Sequence, residues 1–295
     1  MAKQSICLCM IVKNESHVIL QGLNSVVGHI NGYCIADTGS TDDTIQIVKG
    51  FFAEKNIPGI LFESPFKDFG FNRTEVFKRA EEIDAEYLLV LDADDLLVGT
   101  TPFPHLDKDV YYLKMVGEVN TYYRKQLFRN NLDWKYVGVL HEYPDSPIAK
   151  TVGKLEDFSI ISRRLGFRNG PGKYERDIEI LLKGIVEEPT NARYWFYLGQ
   201  SFRDAGRYQD AIAAYDKRVQ LGGWVEETFF ALYQKCELIT RIPNYPNALQ
   251  EIIDAAMLAF NLRPTRAEAL YVLIRYCRCT GRYRLGYIFG QLALS

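Results

Sequence analysis

The chain has 295 residues, 47% of them hydrophobic, and its 35 Lys and Arg against 37 Asp and Glu leave a net charge of −2. That length favours two domains with cores of their own, and the near balance of charge offers no basic field to attract nucleic acid. The longest apolar run near the N-terminus, Ile6 to Val12, closes at Lys13; it is too short to span a membrane and lacks the layout of a secretory signal, so a cytoplasmic protein is expected.

In chain order, Ser5–Val12 reads as a strand and Glu15–Val27 as a helix with Asn14 as its N-cap. A short strand at Tyr33–Ala36 leads into the turn Asp37-Thr38-Gly39-Ser40-Thr41-Asp42. An amphipathic helix then runs to about Glu54, with Ile45, Val48, Phe51 and Phe52 on one face. Ile60-Leu61-Phe62 is a third strand, Phe71–Ile83 a third helix, and Tyr87–Leu91 a fourth strand, apolar throughout and therefore buried on both faces. Strand and helix alternating at this spacing predict a mainly parallel sheet with right-handed crossovers. Beyond Asp95 the helical rhythm fades, and Val110–Val116, Asn120–Phe128 and Tyr136–Leu140 read as further strands. The six cysteines, at 7, 9, 34, 236, 277 and 279, lack zinc-site spacing and are read as reduced, mostly packed thiols.

From Lys173 the pattern is helical throughout. Trp195, Leu198, Gly199, Phe202, Gly206, Tyr208, Ala211 and Tyr215 match the tetratricopeptide template, with Trp195, Tyr208 and Tyr215 expected in its core. Gly281-Arg282-Tyr283 repeats Gly206-Arg207-Tyr208 after two periods of about 34 residues and an insertion around Ile242–Pro246. Units of this kind bury their apolar faces by stacking on neighbours. The expected division is therefore an α/β domain over residues 1–165 and an all-α repeat domain over 166–295.

The chemistry concentrates at the ends of the strands. Asp92, Asp94 and Asp95 crowd into four positions where the fourth strand stops, and in open α/β sheets ligands bind at the carboxyl ends of strands. Carboxylates so close raise one another's pKa unless a cation or donors compensate, and hard oxygen ligands suit Mg²⁺ or Mn²⁺ bridging to phosphates. Two acids after a strand could equally be a capped turn, and Asp37 an Asx-turn or helix cap. Arg73 could pair with Glu75 or Asp68, Glu15 could serve a helix N-terminus, and His141 could be structural. Taken together, two acidic turns, one cation and one imidazole around a cleft suit a nucleotide diphosphate and its metal.

Cys9-Met10-Ile11-Val12-Lys13-Asn14-Glu15, then Ala36-Asp37-Thr38-Gly39-Ser40-Thr41-Asp42-Asp43-Thr44, then Leu91-Asp92-Ala93-Asp94-Asp95 resembles, in this order, a family 2 glycosyltransferase of the GT-A type. Phe71-Asn72-Arg73-Thr74 and Val139-Leu140-His141-Glu142 continue the series, which covers roughly residues 5–145. The later part resembles the tetratricopeptide extension of some bacterial and large-virus members at Ala192–Ser201 and Gly222–Glu227. The resemblance implies a metal-dependent, inverting transfer from a nucleotide sugar, a UDP-sugar, to a glycan, lipid or protein acceptor. It implies that Asp37 bonds the nucleobase, that Val12, Asn14 and Glu15 line the nucleoside pocket, and that Arg73 lies near base or diphosphate. Asp92, with Ala93 in the same turn, would face ribose or metal. Asp94 would ligate Mn²⁺ or Mg²⁺, and His141 would add a metal or phosphate contact. The acidic base of the family usually lies further along, in a larger acceptor half; here Glu142 and Asp95 are the candidates. The repeats are expected to present acceptor, to dimerise or to bind a protein partner. The rivals are a tetratricopeptide scaffold with a degenerate transferase domain, and a metal phosphohydrolase or nucleotidyltransferase.

Overall fold

Ile6–Val12 forms β1, and its two faces enter two different cores. Ile6, Leu8, Met10 and Val12 pack with Ile19, Leu23, Val48 and Phe52, whereas Cys7 and Cys9 pack with Cys34, Val76, Phe77 and Ala80. The strand is thus buried on both sides, as an apolar run without alternation requires. The computed structural model describes residues 4–294. After β1 come α1 (Ile19–Val26), β2 (Gly32–Asp37), α2 (Thr44–Lys55), β3 (Gly59–Glu63), α3 (Phe69–Ala80) and β4 (Tyr87–Val90). They are followed by β5 (Leu96–Val98), β6 (Val110–Val116), β7 (Thr121–Arg129), β8 (Lys135–Val137), β9 (Tyr143–Asp145) and β10 (Val152–Ile161). One eight-stranded sheet runs in the order β3-β2-β1-β4-β7-β6-β10-β5, and β8 and β9 form a separate hairpin. β3, β2, β1 and β4 are mutually parallel; β7 then joins β4 antiparallel.

Two local expectations change. Asn14 does not cap α1: the helix begins at Ile19 after Val18, which makes no side-chain cap bond. The amides of Glu15 and Ser16 are donated instead to Thr44 Oγ1 and Asp42 Oδ2, so residues 15–18 make only a turn. The strand expected over Tyr136–Leu140 stops at Val137, because Gly138 has φ +104° and the chain bends onto α3. There Phe69 N donates to Val139 O at 3.2 Å, and a Cβ on Gly70 would lie 2.3 Å from Gly138 O. Only glycine fits, and this close approach carries residues 138–142 against the start of α3.

The chain divides into two compact units, one ending at Pro171 and one starting at Gly172. The second holds α4 (Lys173–Glu187), α5 (Ala192–Asp204), α6 (Tyr208–Leu221), α7 (Val225–Arg241), α8 (Ala248–Leu262), α9 (Glu268–Cys279) and α10 (Tyr283–Leu294). Its core holds Tyr194, Leu198, Tyr215, Phe229, Leu270 and Leu273. Trp195, expected there, is only half-buried and donates from Nε1 to Pro189 O at 3.0 Å, while its neighbour Tyr194 takes the core position. Tyr208 is also only half-buried. Among the described residues no helix is long and apolar enough to cross a membrane.

Candidate functional site

The four parallel strands deliver their carboxyl ends to one edge of the sheet. The chain moves from β1 outward to β2 and β3 and then returns to place β4 on the other side of β1. The gap above β1 and β4 is therefore the topological switch point, where the loops diverge and leave a crevice.

Two loops of this edge are stitched together. Thr38 donates from N and Oγ1 to Val12 O, at 2.9 and 3.0 Å. Asn14, at φ +54°, accepts from Thr41 N at 2.7 Å and donates its own amide to Ser40 Oγ at 3.0 Å. Asp42 accepts from Ser16 N, Thr44 N and Thr44 Oγ1. Within this frame Asp37 is 3% exposed. Its Oδ1 accepts from Gly39 N at 2.9 Å and Ser40 N at 2.8 Å, an Asx-type turn, while its Oδ2 is buried and has no partner among the described residues. A buried carboxylate oxygen without a donor is costly, and so uncommon in folded proteins.

The acidic turn lies across the switch point. Arg73, from the second turn of α3, forks between Asp92 Oδ1 at 2.6 Å and Glu142 Oε1 at 2.9 Å, with its guanidinium 5.8 Å from the Tyr136 ring centre. Arg124 of β7 approaches Asp92 Oδ2 at 3.5 Å. Burial alone would raise the Asp92 pKa, but Arg73 and Arg124 outweigh it and hold the carboxyl well below its usual range. Asp94 Oδ2 accepts from Gly166 N at 2.8 Å, and Asp94 O accepts from Arg163 Nε at 2.6 Å. Glu15 accepts from Phe167 N at 3.2 Å. Burial, then the Asp94 charge, push the Glu15 carboxyl up to about 7 against that amide bond. Asp95 is 2% exposed, and burial followed by the Asp92 and Asp94 charges push it up to about 7 as well.

Glu15, Arg73, Asp92, Asp94, Asp95 and Glu142 thus form one electrostatic cluster, with Asp37 at the end of the neighbouring strand. Val12 pairs in register with Asp37, and its carbonyl is taken by Thr38. Ala93 is buried in the sheet core and so turns its side chain away from the edge. His141 is exposed, at φ +54°, in the loop between β8 and β9. Among the described residues no three His, Cys, Asp or Glu side chains are gathered to hold an ion, so Asp92, Asp94 and His141 are not a ready-made cage. Four contributors escaped the sequence reading: Arg124, Arg163 and the amides of Gly166 and Phe167.

Fold and edge together define a GT-A type α/β domain, followed in the chain by tetratricopeptide-like helices. Residues 7–99 match the model of glycosyl transferase family 2. It is 26% identical over 260 residues to the SPbeta prophage-derived glycosyltransferase SunS of Bacillus subtilis (strain 168), a match covering 80% of this chain and 59% of that protein. The chain therefore spans about three fifths of the length of that relative. A TPR repeat-containing protein of Synechococcus elongatus is 24% identical over 282 residues, covering 86% of this chain and 68% of that one. Among solved structures, S. aureus TarS 1-349 in complex with UDP aligns over 94% of this chain and 92% of its own, at 14% identity and a TM-score of 0.44.

Proposed function

We propose that this protein transfers a sugar from a UDP-sugar to an acceptor hydroxyl, with inversion at the anomeric carbon and with Mn²⁺ or Mg²⁺. The observation that carries the reading is the buried, partnerless Oδ2 of Asp37 beside an acidic turn at the same switch point. A uracil N–H is a donor of the kind that oxygen lacks, and the acidic turn is where the diphosphate would lie. The donor set suits a diphosphate-bound ion, since Mg²⁺ and Mn²⁺ in such sites take one or two carboxylates and complete their shell from phosphate and water. Asp94 would hold the ion, with Asp92 beside it and His141 as a further contact. A divalent ion held there would offset the charge that develops on the departing diphosphate.

The protein's own residues supply the rest. Asp37 and the stitched Val12–Glu15 loop orient the nucleoside. Arg73 fixes Asp92 and Glu142 relative to one another. Of the two base candidates, Asp95, at 2% exposure, is the more enclosed. Glu142 lies in a loop at the rim with its side chain 13% exposed, and we assign it the acceptor proton. The acceptor is a glycan, lipid or protein, and the helical repeats are its presenting surface or a dimer contact. Reduced thiols at all six cysteines fit a cytoplasmic setting.

Isothermal titration tests the reading. UDP should bind the full chain in the presence of Mn²⁺ and much more weakly after chelation. Asp94→Ala should abolish turnover and the Mn²⁺ dependence while the circular dichroism spectrum stays that of the wild type. Absence of Mn²⁺-dependent UDP binding would favour the scaffold reading, and nucleotide release without sugar transfer would favour a hydrolase.

A further inference from the structure

Two guanidinium groups meet at Asp92, and they are committed to different degrees. Arg73 is enclosed, with its side chain 12% exposed, and its Nε and Nη2 are both bonded to carboxylates, at 2.9 and 2.6 Å. Arg124 has its side chain 38% exposed, and its Nη2 stands 3.5 Å from Asp92 Oδ2, at the outer limit of a hydrogen bond. Its Nε donates to Gln126 Oε1 at 3.1 Å. A guanidinium carries five N–H donors in a rigid fork. Among the described residues its Nη1 meets no acceptor, and its Nη2 makes only the long approach to Asp92.

Gln126 explains why Arg124 stands there. It is 1% exposed, and its Nε2 is buried with no partner among the described residues, a destabilising position for an amide. What that buried amide does in return is accept from Arg124 Nε. The register does the rest: Leu89 of β4 pairs with Leu127 of β7, so Arg124, three residues earlier on an antiparallel strand, lies past the end of β4 beside Asp92.

We propose that Arg124, and not Arg73, is the cation that receives the diphosphate of the donor, and that Gln126 is its positioning residue. This rests on the nucleotide-sugar reading above. In the transfer, the acceptor oxygen bonds to the anomeric carbon as the bond from that carbon to the diphosphate oxygen breaks. The bonding pair leaves on that oxygen, and the acceptor proton passes to Glu142. A fixed, partly desolvated guanidinium aimed at the oxygen that gains charge is worth more in that state than in the ground state, and its fork matches phosphate. Arg73 has Nε and Nη2 committed to Glu142 and Asp92 and is the more enclosed of the two, with its side chain 12% exposed against 38% for Arg124.

The test is titration calorimetry on the full chain in Mn²⁺ with UDP and UMP, which differ by the terminal phosphate. Arg124→Ala should weaken UDP about tenfold or more and UMP less than about threefold. Arg124→Lys should recover part of the UDP affinity, and Gln126→Met should lose UDP selectively, between the two. Arg73→Lys should lower the thermal midpoint and affect both nucleotides alike. Equal weakening of UDP and UMP in Arg124→Ala, or UDP binding as in the wild type, overturns the assignment and leaves the nucleotide reading standing. If the wild type itself binds neither nucleotide, the nucleotide reading fails first and takes this assignment with it.

Discussion

Asp37 uses one carboxylate oxygen on its own turn and buries the other dry, so the bland and the functional readings of this residue are both visible in one side chain. Sequence could place the acid after an apolar strand, because strand and turn signals are local. It could not foresee the dry oxygen, which depends on the packing of a loop 25 residues away. Asp42 is the clearer case for measurement. It accepts from Ser16 N at 3.1 Å and Thr44 N at 3.0 Å, and so ties the loop after β1 to the loop after β2. Burial by itself would raise its pKa, but the bonds from Thr44 and Ser16 outweigh that and bring it down to about 2. A carboxylate lowered in the folded state contributes stability above its unfolded pKa of about 4, and that contribution is lost as pH falls through the folded value. Asp42→Asn should therefore cost about 1 kcal/mol at pH 7, allowing for solvent screening, with the gap closing between about pH 4 and pH 2. Urea midpoints at neutral pH and below pH 3 measure it. A gap that persists undiminished in acid would show that the bonds act through geometry and not through charge.

At the scale of elements, legibility followed burial. β1, β2 and β4 could be read because strands covered on both faces leave unbroken apolar runs. β10 could not: Val-Gly-Lys-Leu-Glu-Asp-Phe-Ser-Ile-Ile mixes charge into the run, and its pairing with β6 slips between Leu155 and Ser159. That unread strand carries the chain to Arg163, Gly166 and Phe167, which is why half of the acid cluster's partners were invisible beforehand. In the repeats the glycines were legible, and their roles differ. Gly206 and Gly281 sit at φ +78° and +75° just past α5 and α9, with Arg207 N and Arg282 N each reaching back 2.8 Å to a carbonyl of the preceding helix. Nothing lies within 4 Å of a Cβ built on either, so alanine there meets backbone strain alone. Each substitution should cost about 1 kcal/mol, and the two should match. Gly199 has an ordinary helical backbone, but an added Cβ would lie 2.6 Å from the Tyr215 ring, so Gly199→Ala should cost about 2 kcal/mol or more through overpacking. Denaturant midpoints of the three variants separate strain from collision, and equal losses at all three would refute the distinction.

For the whole molecule the argument turns on where the ligand acts. Every residue assigned to the donor precedes Pro171, and the helices from Gly172 onward enclose a core of their own, with Leu181, Tyr215, Phe229 and Leu273 at 0% exposure. Two cores in one chain are two candidates for cooperative unfolding, so a single free energy of unfolding need not describe the protein. A ligand that binds only the folded first unit stabilises that unit by RT ln(1 + [L]/Kd), about 2.7 kcal/mol at a hundredfold excess over Kd. Scanning calorimetry should resolve two transitions, and UDP with Mn²⁺ should raise one of them, the same one that Asp42→Asn lowers. Gly199→Ala should lower the other and leave the nucleotide-sensitive transition in place. If UDP with Mn²⁺ moved the transition that Gly199→Ala lowers, the helical unit would hold part of the donor site. The assignment of the site to residues before Pro171 would then fall.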